Sequence, residues 1–298
     1  MTADEWRRAG APFAYRGHEI FHRDAGIGDP VLCIHGFPTA SYDWHRVWPR
    51  LSRRFRLLAP DMIGFGFSAK PVEHPYSIGD QASLHEALVR QLGIERVHIL
   101  AHDYGDTVAQ ELLARDLEAR AVCRRTVDIL SVCFLNGGLF PEVHRARVVQ
   151  RVLAGPLGPI VGRLLSERRF GRGLAAVFGK ATRPSAAELH ELWKLVAFNE
   201  GARVAHKLIG YMEERRRNRE RWVGALQQTR VPLRLVDGAD DPVSGRHMAE
   251  RYAALVPRPD VIVLEGIGHY PQLEAPDRVA DTYLEFIARV NASARERG

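Results

Sequence analysis

The chain has 298 residues, 46% of them hydrophobic and 26% charged, with a formal net charge of +6. That balance belongs to a folded globular protein and excludes a disordered chain, and no apolar run approaches the roughly 18 residues of a membrane span. The start, MTADEWRRAG, has basic residues but lacks the apolar core of a secretory leader, and Cys33, Cys123 and Cys133 show neither metal nor redox spacing, so the expectation is a cytoplasmic protein with reduced thiols.

The first expected element is a hairpin, FAYRGHEIFHRDAG (13–26). Short apolar runs follow at 30–36 (PVLCIHG), 55–61 (FRLLAPD), 97–103 (VHILAHD) and 130–136 (LSVCFLN), then at 231–238 (VPLRLVDG) and 260–266 (DVIVLEG). They are continuously apolar rather than alternating, which marks strands buried on both faces. Helical stretches at 77–92, 107–118, 246–255 and 276–293 separate them. The expected fold is α/β, a mostly parallel sheet flanked by helices.

Residues 139–225 break this rhythm, with no strand-like run and with GPLGPIVG (155–162) and TRPS (182–185) as punctuation. The reading is one core domain, 1–138 and 226–298, with a helical cap domain inserted at 139–225. A last long helix near 200–221 would place Val204, Leu208 and Tyr211 on one face. The insertion holds 17 Lys and Arg against 8 Asp and Glu, whereas the remainder holds 25 against 28. This basic excess reads as a solvated arginine-rich face or as an attractor for an anionic surface or substrate. No nucleic-acid motif accompanies it.

Ligands of open parallel sheets sit beyond the carboxyl ends of the strands. Asp103, Asp241 and His269 occupy such ends, in the chain order nucleophile, acid, histidine. Asp103 lies in Ala101-His102-Asp103-Tyr104-Gly105, a carboxylate between small residues where a strand turns sharply into a helix. It reads as a nucleophile on a cramped elbow or, on its own, as a helix N-cap. HGFP (35–38) follows a buried strand and is either a plain turn or a loop offering the Phe37 N–H. With the N–H of Tyr104, that loop would make an oxyanion hole. GADDPV (238–243) offers Asp241, with Asp240 as competitor, to orient a histidine, while position 136 after the earlier strand is Asn. His269, in GIGHYPQLEAP, follows the last strand and precedes a helix, the place for a general base.

These motifs resemble the α/β-hydrolase superfamily, in its aspartate-nucleophile branch of epoxide hydrolases and haloalkane dehalogenases, along nearly the whole chain. HGFPTASYDW, IGFGFSAKP, YSIGDQAS, HDYGDTVAQELL, NGGLFPE, RERWVGAL and HYPQLE are similar to the hydrolases of the mesoderm-specific transcript group. The family's Gly-x-x-Asp-Pro form favours Asp241 over Asp240. The resemblance implies a hydrolase needing no cofactor or metal, in which Asp103 attacks a small apolar molecule at an electrophilic sp³ carbon. The resulting alkyl ester is then cleaved by a water that His269 and Asp241 activate. An epoxide substrate would give a vicinal diol. Its leaving alkoxide needs a proton, which lid tyrosines supply in this family, and Tyr211 is the one tyrosine in 139–225. The second is missing, with His144, His190 or Trp193 as substitutes. A dehalogenase would release halide instead, but Tyr104 and Phe37 stand at both halide-binding positions, leaving Trp193 to keep that reading open. A silent ligand-binding member of the fold is the third reading. Gly105-Asp106 replaces the family's usual Gly-Gly, so Asp106 either caps or braces a loop or faces the pocket and repels anionic substrates. Whether the chain is a monomer or a homodimer stays open.

Overall fold

The computed structural model describes residues 1–124 and 126–296. Its sheet has eight strands: β1 (Ala11–Tyr15), β2 (His18–Ala25), β3 (Asp29–Ile34), β4 (Phe55–Pro60), β5 (Arg96–His102), β6 (Asp128–Leu135), β7 (Leu233–Gly238) and β8 (Val261–Leu264). They lie side by side in the order β1-β2-β4-β3-β5-β6-β7-β8. β1 and β2 form the expected hairpin, and β2 joins β4 antiparallel. From β4 to β8 every pairing is parallel. The strands carry continuous apolar runs because both faces are covered. All six residues of β7 are buried, as are the last six of β5.

Each predicted core helix is present within a few residues, as α2 (Ile78–Gln91), α3 (Tyr104–Ala121), α10 (Arg246–Leu255) and α11 (Pro276–Arg295). Ser77 caps α2 by accepting the Asp80 N–H at 3.1 Å, a device that satisfies an otherwise unpaired helical donor. An unpredicted N-terminal helix, α1 (Ala3–Arg8), opens with a Thr2/Glu5 capping box and buries Trp6 completely.

Between β6 and β7 the chain is helical: α4 (Val148–Leu153), α5 (Gly158–Arg163), α6 (Glu167–Ala175), α7 (Ala186–Ala197), α8 (Tyr211–Arg217) and α9 (Arg219–Gln228), with short turns between α7 and α8. The single long helix expected near 200–221 does not form. Asn199 and Glu200 take left-handed backbone angles (φ 48° and 55°), and Asn218 ends α8 and begins α9. Val204, Leu208 and Tyr211 are nonetheless all buried. α9 packs against α3, where the Trp222 Nε1–H donates to Glu111 Oε2 at 2.8 Å.

The topology places the site. The chain runs from β3 to its neighbour β4, then crosses to β5 on the other side of β3. Connections leave β3 and β5 in opposite directions, which opens a crevice at their carboxyl ends. HGFP follows β3 there, and Asp103 follows β5.

Candidate active site

Asp103 sits between β5 and α3 with φ 49° and ψ −102°, a left-handed conformation that costs a residue with a Cβ. The turn is tight on both flanks. A Cβ on Gly105 would stand 2.3 Å from the Ile34 carbonyl oxygen of β3, and one on Gly36 would stand 2.9 Å from the Asp103 Cβ. Only glycine lets the β3 loop and the head of α3 approach this closely.

The Phe37 N–H donates to Asp103 Oδ2 at 3.0 Å. Tyr104 is the first residue of α3, so its N–H is one of the helix's unpaired donors. The HGFP loop is held by His35, whose Nδ1–H donates to the Gly36 carbonyl while Nε2 accepts the Met62 N–H at 3.0 Å. Burial pushes His35 down to about 4, which keeps it neutral for that task.

His269 Nε2 lies 4.0 Å from Asp103 Oδ2, and its Nδ1 bonds to Asp241 Oδ2 at 2.7 Å. Asp240 is exposed. Asp241 also accepts the Val243 N–H, the Ser244 N–H and hydroxyl, and the Asn136 side-chain amide at 3.2 Å. Asn136, where an acid was absent, thus supports the acid on the neighbouring strand. Burial works against ionisation of Asp241, but His269 and these hydrogen bonds hold it below the usual carboxylate range. Burial would likewise lower His269. The Asp241 charge and hydrogen bond, with the Asp103 charge, outweigh it and raise the imidazole to about 9.

The insertion closes over these groups. Tyr211 is buried and its hydroxyl has no partner. Its ring packs 4.8 Å from Tyr104 and 6.2 Å from Phe37. Burial, then the Asp103 charge, raise its hydroxyl well above the ordinary tyrosine value, so it stays protonated. Trp193 does not line the cavity beside His269; it packs against Phe170 with centroids 5.5 Å apart. His190 is exposed and paired with Glu167. His144 is part-buried with both ring nitrogens unpartnered, and burial pushes it down to about 3. Asp106 is wholly buried with neither oxygen bonded, and burial plus the Asp103 charge raise it far above the carboxylate range. It packs beneath Gly137 and is absent from the wall of the cavity beside His269, so it does not face a substrate there.

Two residues went unassigned in the sequence. Arg215, one helical turn after Tyr211, is only 2% exposed. Its Nε donates to Thr107 Oγ1 at 2.6 Å and its Nη2 to the Asp103 carbonyl at 2.9 Å; Nη2 also lies 3.9 Å from Asp103 Oδ1. The i, i+4 spacing from Tyr211 was the available signal, since it puts both on one helix face. Tyr270, next to His269, lines the cavity, with its hydroxyl 3.4 Å from Thr39 Oγ1. That cavity, about 150 Å³, is walled by Phe37, Pro38, Leu208, Val243, His269 and Tyr270. It suits a molecule of roughly benzene size. A larger groove of about 910 Å³ lies at the opposite, amino ends of β5 and β6, against Arg96 and Asp128. It touches none of the ionisable residues above, whereas the smaller cavity is lined by His269 and Tyr270.

The family model described as "Alpha/beta hydrolase family" matches residues 31–282. The mesoderm-specific transcript homolog protein of Homo sapiens is 44% identical over 95% of this chain and 87% of its own length. Among solved structures, the epoxide hydrolase CorEH superposes with a TM-score of 0.79 at 20% identity, covering 94% of this chain and 99% of that one. The haloalkane dehalogenase DbeA of Bradyrhizobium elkani USDA94 does so with a TM-score of 0.78 at 23% identity, covering 95% and 99%. At those identities the two structures speak for the fold alone.

Proposed function

The chain belongs to the alpha/beta hydrolase family, and we propose that within it the protein is a cofactor-independent epoxide hydrolase with Asp103 as nucleophile. The observation that carries this is the Asp103 carboxylate on the elbow, whose Oδ2 accepts the Phe37 N–H at 3.0 Å and lies 4.0 Å from His269 Nε2. A serine there would suit acyl carbon. A carboxylate attacking an ester would form a reactive anhydride, whereas at a strained sp³ carbon it forms a stable alkyl ester.

In the proposed sequence, one Asp103 oxygen attacks an epoxide carbon and the C–O bond of the ring breaks. The released alkoxide takes the proton of the Tyr211 hydroxyl. The oxygen held by the Phe37 N–H becomes the ester carbonyl. Esterification removes the Asp103 charge, one of the influences that keep His269 protonated. His269 passes its proton through water to the Tyr211 phenolate and, now neutral and oriented by Asp241, becomes a competent base. It takes a proton from water, which attacks the ester carbonyl. The oxyanion forms against the N–H groups of Phe37 and Tyr104. Collapse releases the diol and restores the carboxylate, the hydroxyl proton of the intermediate passing to the leaving alkoxide, and His269 ends protonated as it began. The insertion at 139–225 serves as a cap that keeps bulk water out of the ester.

The Tyr211 hydroxyl, buried without a partner and within reach of the Asp103 charge, favours an epoxide over a halide, which wants N–H donors rather than a proton. The test is diol formation from a panel of small aryl and alkyl epoxides. The expected result is turnover by the native chain and none by Asp103→Asn. Halide release from haloalkanes in place of diol would move the assignment to a dehalogenase, and equal behaviour of native and variant chains would overturn the nucleophile.

A further inference from the structure

The helical insertion turns an apolar face outward. Among the described residues ten large apolar side chains are exposed, and six of them are Val148, Val149, Val152, Leu157, Ile160 and Leu164. All lie on α4, on α5 or on the turns that follow each. α4 buries none of its residues. Single exposed apolar residues need no explanation, but six gathered in one short segment do.

The same region is strongly basic. From 143 to 172 the chain has seven arginines, including Arg151, Arg163 and Arg168, against one acid, Glu167. That acid is already engaged by His190. A second copy of this chain is a poor occupant, because an isologous contact would set one arginine-rich face against another. Apolar side chains rimmed by cations fit a surface that is anionic outside and apolar just beneath. The face also meets the active-site cavity: Val149 is 50% exposed and lines the cavity with Leu153 and Leu165.

We propose that α4 and α5 dock this protein on lipid bilayers bearing anionic headgroups, with their apolar side chains in the headgroup layer. Val149 then stands where bilayer and cavity meet, and an apolar substrate passes from the lipid to the Asp103 site. That passage rests on the hydrolase reading above; the docking does not.

The experiment is flotation of the full chain with vesicles of phosphatidylcholine, with and without phosphatidylglycerol. The chain should float with the anionic vesicles and come off as salt is raised. Ile160→Ser combined with Leu164→Ser should cut the bound fraction on the order of tenfold, and Arg151→Glu combined with Arg163→Glu should do the same. All four positions are exposed, and an unchanged melting curve verifies that the variants fold. No flotation with either vesicle, or flotation that both variants retain, overturns the proposal. So does a dimer in sedimentation that Leu164→Ser dissociates without any vesicle binding. Turnover of a water-soluble epoxide is measured alongside, and flotation lost with turnover intact supports docking as a separate property. A chain that floats but opens no epoxide also supports docking and removes only the passage.

Discussion

At the scale of single residues, the question is how a carboxylate that is 3% exposed is kept usable. An isolated buried charge is costly, so it needs partners. Asp103 has the Phe37 N–H, His269, and Arg215 reaching in from α8. Arg215 also grips the elbow from behind, through the Asp103 carbonyl and Thr107. It therefore both balances the Asp103 charge and holds the Asp103 backbone. Arg215→Met keeps much of the apolar stem and removes the guanidinium. Ester formation, followed by mass in a His269→Gln background, is expected to slow by roughly 10- to 100-fold, somewhat less than the loss of an oxyanion donor. An unchanged rate would reduce Arg215 to a brace. Asp103, Asp241 and His269 were legible because each ends an apolar run at a strand's carboxyl end. Arg215 was missed because the run Arg215-Arg216-Arg217 reads as a solvated face, and only its i, i+4 spacing from Tyr211 sets it apart from two neighbours that pair with Glu213 at the surface.

At the scale of elements, the elbow works only if β3 and α3 touch. The Cβ of an alanine at 105 would meet the Ile34 carbonyl oxygen at 2.3 Å, and backbone cannot step aside as a flexible side chain can. Gly105→Ala is expected to destabilise the protein by about 1–3 kcal/mol, the usual cost of overpacking, and to abolish turnover by moving Asp103. A denaturation midpoint equal to the native one would show that the two elements are less closely apposed. Strands and core helices were readable because their burial writes a continuous or periodic apolar pattern into the chain. The end of the insertion was not. Its helix is broken where Asn199 and Glu200 adopt left-handed angles, a choice that periodicity does not encode. α9 is fixed on α3 by Arg221 and Trp222 bonding to Glu111, contacts between residues more than a hundred positions apart.

At the scale of the whole molecule, buried ionisable groups set the response to pH. Burial pushes His35, His45, His85 and His98 down to about 4, and His102 and His144 to about 3. Each takes up a proton only on unfolding, so its contribution is present above about 6.5 and lost as pH falls through these values. Burial raises Asp43, Asp61, Asp106 and Asp237, the last to about 8. These contributions are fully present below the ordinary carboxylate value and are lost as pH rises. His269, raised to about 9, has that same sign, complete below about 6.5 and lost through 9. Lys70, pushed down to about 7 by burial, opposes them on the alkaline side but is outnumbered. Six histidines outweigh four aspartates below about pH 6.5, and above it Asp237 and His269, at about 8 and 9, outweigh Lys70. The urea midpoint is therefore expected to peak near about pH 6.5 and to be lower at both about pH 5 and about pH 9. A midpoint that rises steadily from about pH 7 to pH 5 would contradict this balance.

The central claim is a covalent bond to Asp103, and one measurement reaches it directly. His269→Gln removes the base that cleaves the ester while leaving the nucleophile in place. Mixed with a small epoxide and examined by intact-protein mass spectrometry, this variant should gain the mass of the whole epoxide, on the peptide that contains Asp103. No gain with any epoxide, from a variant that folds normally, would contradict the nucleophile and the reaction built on it.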